Sequence, residues 1–172
     1  GLISDTDLDL IHSLSEDAAI GSLVGITTYA EDLDGTDSVS YTLSDDAGGL
    51  FAIHGTSGVV TLSGELDYET STSHAVTVLA SSTDGSTSTA DFTITVEDVD
   101  EYDVGLISDT DLDLIHSLSE DAAIGSLAGI TAYAEDLDAS DSVSYTLSND
   151  AGGLFAIDST SGVVTLAGEL DY

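Results

Sequence analysis

Apolar and polar residues alternate along the chain in short bursts. Ile26, Thr28 and Ala30 occupy every second position, as do Val39, Tyr41 and Leu43 in "SVSYTL". Phe51 and Ile53 come next, then Val60 and Leu62 in "GVVTLS". Val76, Val78 and Ala80 form another set, and Phe92, Ile94 and Val96 follow. Successive side chains of a strand point to opposite faces. A period of two in runs rich in Val, Ile, Thr and Tyr therefore predicts half-buried β-strands. Clusters of Gly, Asp and Ser ("DGTD", "DDAGG", "GTSG", "TDGST") separate the runs and supply turns. No stretch has a convincing helical apolar period. About seven short strands in about 100 residues predict an all-β fold, a Greek-key β-sandwich.

The pattern occurs twice. "GLISDTDLDLIHSLSEDAAIGSL" opens at residue 1 and again at residue 105. Residues 1–68 and 105–172 differ at eight positions: Val24/Ala128, Thr28/Ala132, Gly35/Ala139, Thr36/Ser140, Asp45/Asn149, His54/Asp158, Gly55/Ser159 and Ser63/Ala167. A period of this length suits tandem globular domains and is too long for a solenoid. The division is residues 1–98, an acidic linker at 99–110, and a second copy at 111–172. That second copy holds no counterparts of the strands near 74–80 and 90–98, so its core and strand edges should be open. Either the 172 residues are a window on a longer chain, or a neighbouring molecule supplies those strands.

Charge changes the picture. The chain has no Lys or Arg, 34 Asp and Glu, and a formal charge of −34. Nucleic acid and anionic membrane surfaces are excluded as partners, because each phosphate would meet repulsion. A hydrophobic fraction of 41% is too high for a disordered acidic tail. The neutralising cations must come from outside. Bulk salt screens dispersed carboxylates over several ångströms but does not satisfy carboxylates gathered at one point. Between the copies, "EDVDEYDVGLISDTDLD" (97–113) holds eight acids and no base. With no Cys, disulfide and thiolate-metal frameworks are excluded. No signal peptide and no long apolar run is present.

These motifs follow in order: "SEDAAIGS" (15–22) around the single Glu16, "AEDLD" (30–34), the core string "VSYTL", "LFAI" and "TSGVVTL", then "LDYE" (66–69), and "FTITVEDVDE" (92–101). In this order they resemble a cadherin repeat in its bacterial cell-surface form, as in large RTX-type adhesins: its early acidic motif, its A-x-D-x-D, its core string, its L-D-R-E, and its closing strand with the D-x-N-D linker. The resemblance implies tandem cadherin- or immunoglobulin-like sandwiches joined by calcium-binding linkers. It implies calcium ligands at Glu16, Asp67 and Glu69 of the first copy, Asp98, Asp100 and Glu101 of the linker, and Asp136 and Asp138 of the second copy.

Further acids stand where ions could extend the set: Asp103, Asp109, Asp111, Asp32, Asp34, Glu120 and Asp171. Calcium takes six to eight hard oxygens at flexible geometry, and neighbouring ions share carboxylates. The sequence departs from the family where Asp100 and Tyr102 replace linker Asn residues. The late acid after Val78 and Ala80 is displaced to Asp84, within a "TDG" turn. Asp7, Asp37, Asp91 and Glu97 are read as solvated surface.

A second calcium motif competes within the linker. "DTDLDLIHSLSE" (109–120) has acids at loop positions 1, 3 and 5 and Glu at position 12, the EF-hand spacing. Leu114 stands where that loop needs Gly, and the flanks are strand-like. For catalysis there is no G-x-S-x-G elbow and no Gly-rich phosphate loop. His12, His54, His74 and His116 lack partners at metal-ligand spacing. The reading is a non-enzymatic, extracellular module of a bacterial surface fibre, stiffened by calcium. It contacts neighbouring repeats of its own chain, and neighbouring molecules by strand exchange. The alternative is a ligand-binding adhesion module, homophilic or carbohydrate-directed.

Overall fold

The computed structural model describes residues 2–8, 11–112, 115–138 and 140–171. They form two compact units, Gly1–Val99 and Asp100–Tyr172.

Among the described residues, the first unit contains eight strands: β1 (Ser4–Asp5), β2 (Ser13–Ser15), β3 (Leu23–Tyr29), β4 (Val39–Asp45), β5 (Phe51–Ile53), β6 (Val59–Leu62), β7 (Ser73–Ser82) and β8 (Thr87–Glu97). They make two sheets, ordered β1-β3-β6-β5 and β2-β8-β7-β4. The chain passes repeatedly from one sheet to the other, as a Greek-key sandwich requires. All pairings are antiparallel except β2 with β8. The alternation explains what lies inside. Val24, Ile26, Phe51, Val60 and Leu62 of one sheet meet Val76, Ile94 and Val96 of the other, each 3% exposed or less. Full burial of one such side chain stabilises by about 1.5–3 kcal/mol. Leu43, Ile53 and Phe92 are half-buried against this core. A smaller cluster joins Ala30, Tyr41, Val78 and Ala80. There the Tyr41 hydroxyl accepts the Ala30 N–H at 2.8 Å.

One glycine fixes a crossing. Gly58 sits at φ +71, and a Cβ there would lie 2.2 Å from the Thr28 carbonyl oxygen. The close approach lets Thr28 donate its N–H to the Gly58 carbonyl at 2.9 Å. Gly162 repeats the arrangement against Ala132 in the second unit, at φ +70 and 2.0 Å.

Among the described residues, the second unit forms one sheet from β9 (Ser108–Asp109), β10 (Leu127–Tyr133), β11 (Phe155–Ile157) and β12 (Val163–Leu166), ordered β11-β12-β10-β9. Residues 100–110 group with this unit, and β9 pairs with β10. The registers of β10–β12 and β11–β12 reproduce those of the first unit. Residues 117–119 and 143–149, equivalent to β2 and β4, are not strands. In the first unit those two strands pair only with β8 and β7. Without such partners their backbone has no ladder to join. Ile130 and Phe155 are half-buried where Ile26 and Phe51 are sealed. Of the EF-hand motif, Asp113 and Leu114 lie outside the described residues. No helix flanks it among those described.

Candidate metal centres

Among the described residues, acids gather in three places. In the first unit, β2 and β8 run in parallel and end together, and the turn at 66–70 closes over them. Glu16 follows β2, and its N–H donates to the Glu97 carbonyl at 3.0 Å. Its carboxylate accepts the Tyr68 N–H at 2.7 Å and the Val99 N–H at 2.8 Å. That pairing satisfies Glu16, which is only 9% exposed. One carboxylate oxygen each of Glu16, Glu69 and Asp98 lies within 4.8 Å of the others. Asp98 Oδ1 is buried and accepts no hydrogen bond. An ionised carboxylate is an acceptor only, so such an atom needs a cation or a proton. The chain has no Lys or Arg to give it one. This oxygen among three acids fits a hard divalent cation.

Asp67 points elsewhere. It caps its own turn, accepting the Thr70 N–H and hydroxyl at 2.8 Å each.

The second gathering, also in the first unit, is Asp32, Asp37 and Asp84. Antiparallel pairing of β4 with β7 starts at Val39 opposite Ser82, which brings the 83–86 turn beside the loop after β3. Thr83 Oγ1 then donates to Asp37 at 2.7 Å. The neighbouring Ser82 hydroxyl makes no hydrogen bond of ordinary geometry. Its dipole is still the chief influence lowering the Asp32 pKa, ahead of the Asp34 N–H. The Ser86 N–H, then its hydroxyl, lower that of Asp84. Asp34 is exposed and accepts from the Thr36 N–H and hydroxyl at 3.3 and 3.0 Å.

The third gathering, in the second unit, is Asp100, Asp138 and Asp141. Asp138 is 2% exposed and accepts the Tyr102 N–H at 2.8 Å and the Glu101 N–H at 3.4 Å. Asp136 accepts the Asp138 N–H at 3.2 Å. Repulsion from Asp141, then from Asp138, holds the Asp100 carboxyl above its ordinary pKa. Asp103 is exposed and adds to that repulsion.

Asp5, Asp109, Glu120 and Asp171 belong to none of these three gatherings. Asp109 accepts the Thr131 and Asp111 N–H groups at 2.9 Å and pairs with His116 at 3.1 Å. The Thr131 N–H is the main cause of its lowered pKa. Asp5 repeats this role with Thr27, Asp7 and His12, the His12 contact being 2.8 Å. Two of the four histidines thus have an acidic partner that their sequence spacing did not reveal. Glu120 and Asp171 are exposed and border one cavity with Leu118, Leu154 and Leu170.

Three grouped acids were not expected: Asp37, read as solvated, Asp84, read as displaced, and Asp141. A signal existed for two of them. Asp37 and Asp141 occupy one position of the repeat, three residues after Asp34 and Asp138, giving D-x-D-x-x-D twice.

Comparison with known proteins gives a consistent result. A family model described as "Cadherin domain" matches residues 12–97. Mouse "Protocadherin Fat 4" is 33% identical over 168 residues, covering 93% of this chain and 3% of that protein. Mouse "Cadherin-17" is 40% identical over 110 residues, covering 62% of this chain and 13% of that protein. The chain is therefore a small part of the length of either relative. Among solved structures, the extracellular domain of protocadherin GammaB4 superposes with a TM-score of 0.78 at 19% identity, covering 99% of this chain and 30% of that one. Human Protocadherin-24 EC1-2 gives 0.58 at 26% identity, covering 96% and 77%.

Proposed function

The chain belongs to the cadherin family of adhesion modules, which are not enzymes, and on that premise we propose that it is a calcium-dependent structural spacer of a surface adhesion protein. The buried, unpartnered Asp98 Oδ1 beside Glu16 and Glu69 is the observation that carries this reading. Glu16, Glu69 and Asp98 would hold calcium in the first unit, and Asp100, Asp138 and Asp141 in the second. Asp32, Asp37 and Asp84 offer a further set. Calcium supplies positive charge and a flexible demand for hard oxygens.

The protein's own residues do the rest. Glu16 ties the end of β2 to the backbone at Tyr68 and Val99 and so fixes where Asp98 stands. Asp98 is the second-last residue of the first unit and Asp100 begins the second, two positions apart. Loading both sets therefore restrains a short stretch of chain from either side. Extracellular calcium modules bind at about 10⁻⁴ to 10⁻³ M, so millimolar calcium outside a cell is the permissive condition. Near-identity of the copies supports a spacer, because each unit need only reproduce one length. The relatives named above are animal proteins; a bacterial surface setting rests on the sequence resemblance alone.

Small-angle scattering in calcium and in chelator tests the spacer. The account expects a smaller spread of interatomic distances in calcium, and indistinguishable profiles would remove it. The alternative, an adhesion module with its own ligand, draws on the exposed loop differences between the copies, such as Gly55/Ser159. Binding on a glycan array with calcium present would favour it.

A further inference from the structure

We propose that the outer face of the β1-β3-β6-β5 sheet is a self-association surface, on which a second copy of this chain seats the same face. Three rows of residues make it. Ala52, Thr61 and Leu23 lie side by side, then Val59 and Thr27, then Tyr29 and Ser4. Strand alternation turns them away from the core, because Val24, Ile26, Thr28, Val60 and Leu62 between them are buried. None of the outward residues is acidic. Asp5 of β1 stands opposite Thr28 and so on the inner side. The other sheet differs, since β8 turns Asp91 and Glu97 outward. The second unit repeats these pairings, with Leu127 for Leu23 and Tyr133 for Tyr29. Leu23 and Tyr29 are 68% and 51% exposed, Leu127 and Tyr133 66% and 48%, so both units offer the same uncovered apolar side chains.

Charge selects the occupant. Each chain carries 34 acids and no Lys or Arg. Two copies therefore repel wherever acids meet, and no Lys or Arg pair between them offsets it. Contact between copies is left to surface without acids, and this face is such a surface in both units. A basic partner would be drawn to the acids instead. Hydroxyls at the edge of the face are already satisfied. Thr6 Oγ1 donates to the Thr27 carbonyl at 2.9 Å, and Thr110 Oγ1 to the Thr131 carbonyl at 3.2 Å. Covering them leaves no hydroxyl donor unpaired. An exposed apolar patch rimmed by polar residues marks an association site. The same face on a second copy is uncharged and self-complementary about a two-fold axis. Sheets packed face to face interleave their side chains in a layer about 10 Å thick, which Leu23 and Tyr29 would fill. The contact uses none of the acids assigned to calcium, so it goes beyond the spacer reading and is tested separately from it.

Sedimentation equilibrium of the 172-residue chain, in constant calcium and at low and high sodium chloride, tests the proposal. The face is uncharged while the chain around it is acidic, so screening favours the contact. The association constant should be at least about tenfold larger at about 1 M salt than at about 0.01 M. A Leu23→Gln, Tyr29→Gln, Leu127→Gln, Tyr133→Gln variant removes apolar area without adding charge and should associate at least about tenfold more weakly. Its melting curve shows whether the fold is kept. A second format does not depend on that variant. The chain has no Cys, so a Thr61→Cys, Thr165→Cys chain treated with a bifunctional maleimide should give covalent dimers. Thr93→Cys, on the outer face of the other sheet, should give few. A chain that stays monomeric at both salt concentrations overturns the proposal, as does association that survives the four substitutions. Equal cross-linking from the two faces overturns it as well.

Discussion

Glu16 and Val99 stand 83 positions apart in sequence, and the Glu16 Oε1 accepts the Val99 N–H at 2.8 Å. The same carboxylate holds Tyr68 N–H, so one side chain fastens the last residue of the first unit and the turn that carries Glu69. Glu16→Ala removes the acceptor from two part-buried donors. In chelator it should lower the stability of the first unit by about 2 kcal/mol, the scale expected for unsatisfied polar groups. Urea unfolding followed by circular dichroism measures this. Glu16→Gln keeps an oxygen for one donor and should fall between wild type and Ala.

The hydroxyl of Tyr41 does similar work inside the sandwich. Tyr41→Phe leaves the Ala30 N–H without its partner in a buried site. A loss of about 1–3 kcal/mol is expected with little change in secondary structure. Tyr145→Phe repeats the experiment on the Ala134 N–H, bound at 3.1 Å in the second unit.

Two glycines with positive φ should respond differently to the same substitution. At Gly58 an added Cβ meets the Thr28 carbonyl, whereas at Gly21, φ +95, it meets nothing within 4 Å. Gly21→Ala therefore bears only the left-handed conformation, about 1–2 kcal/mol. Gly58→Ala must also separate a β3 carbonyl from the 54–58 turn. Its melting temperature should drop well below that of Gly21→Ala in parallel calorimetric scans.

The turn after β5 is capped by different residues in the two copies. His54 Nδ1 accepts the Ser57 N–H at 3.1 Å, while Asp158 Oδ1 accepts the Ser161 N–H at 2.8 Å and its hydroxyl at 2.9 Å. The Ser161 N–H is the main cause that lowers the Asp158 pKa from its ordinary 3.8. A depressed folded-state pKa contributes stability above the unfolded value and loses it as pH falls through the folded one. Asp158→Ala should thus be less stable than wild type near neutral pH, with the gap closing below about pH 3.8. Melting curves across pH 2–7 give the comparison. Asp158→His should retain the cap at neutral pH, as His54 does.

The sandwich was legible because its strands alternate cleanly: Val24 to Ala30 and Val76 to Ala80 bury every second residue. β1 and β2 were not, since two or three residues are too few to show a period. Glu16, Glu69 and Asp98 were named from motif order, and the structure places them together; Asp67 was named with them and caps a turn. Asp84 was missed because only the β4–β7 register brings its turn beside the loop after β3, and register over 40 residues is not written locally; Asp37 did carry a local signal, the repeated D-x-D-x-x-D. The His12–Asp5 and His116–Asp109 pairs, seven positions apart, match no metal-ligand spacing and gave no local signal.

Thermal melting of the 172-residue chain in excess calcium and in chelator, at matched ionic strength, tests the central claim most directly. Binding to the folded state alone stabilises by about 2.7 kcal/mol when free ligand is a hundred times Kd. The account predicts a melting temperature several degrees higher in calcium, with most of the gain lost in Asp98→Ala. Superimposable curves in calcium and chelator would contradict it.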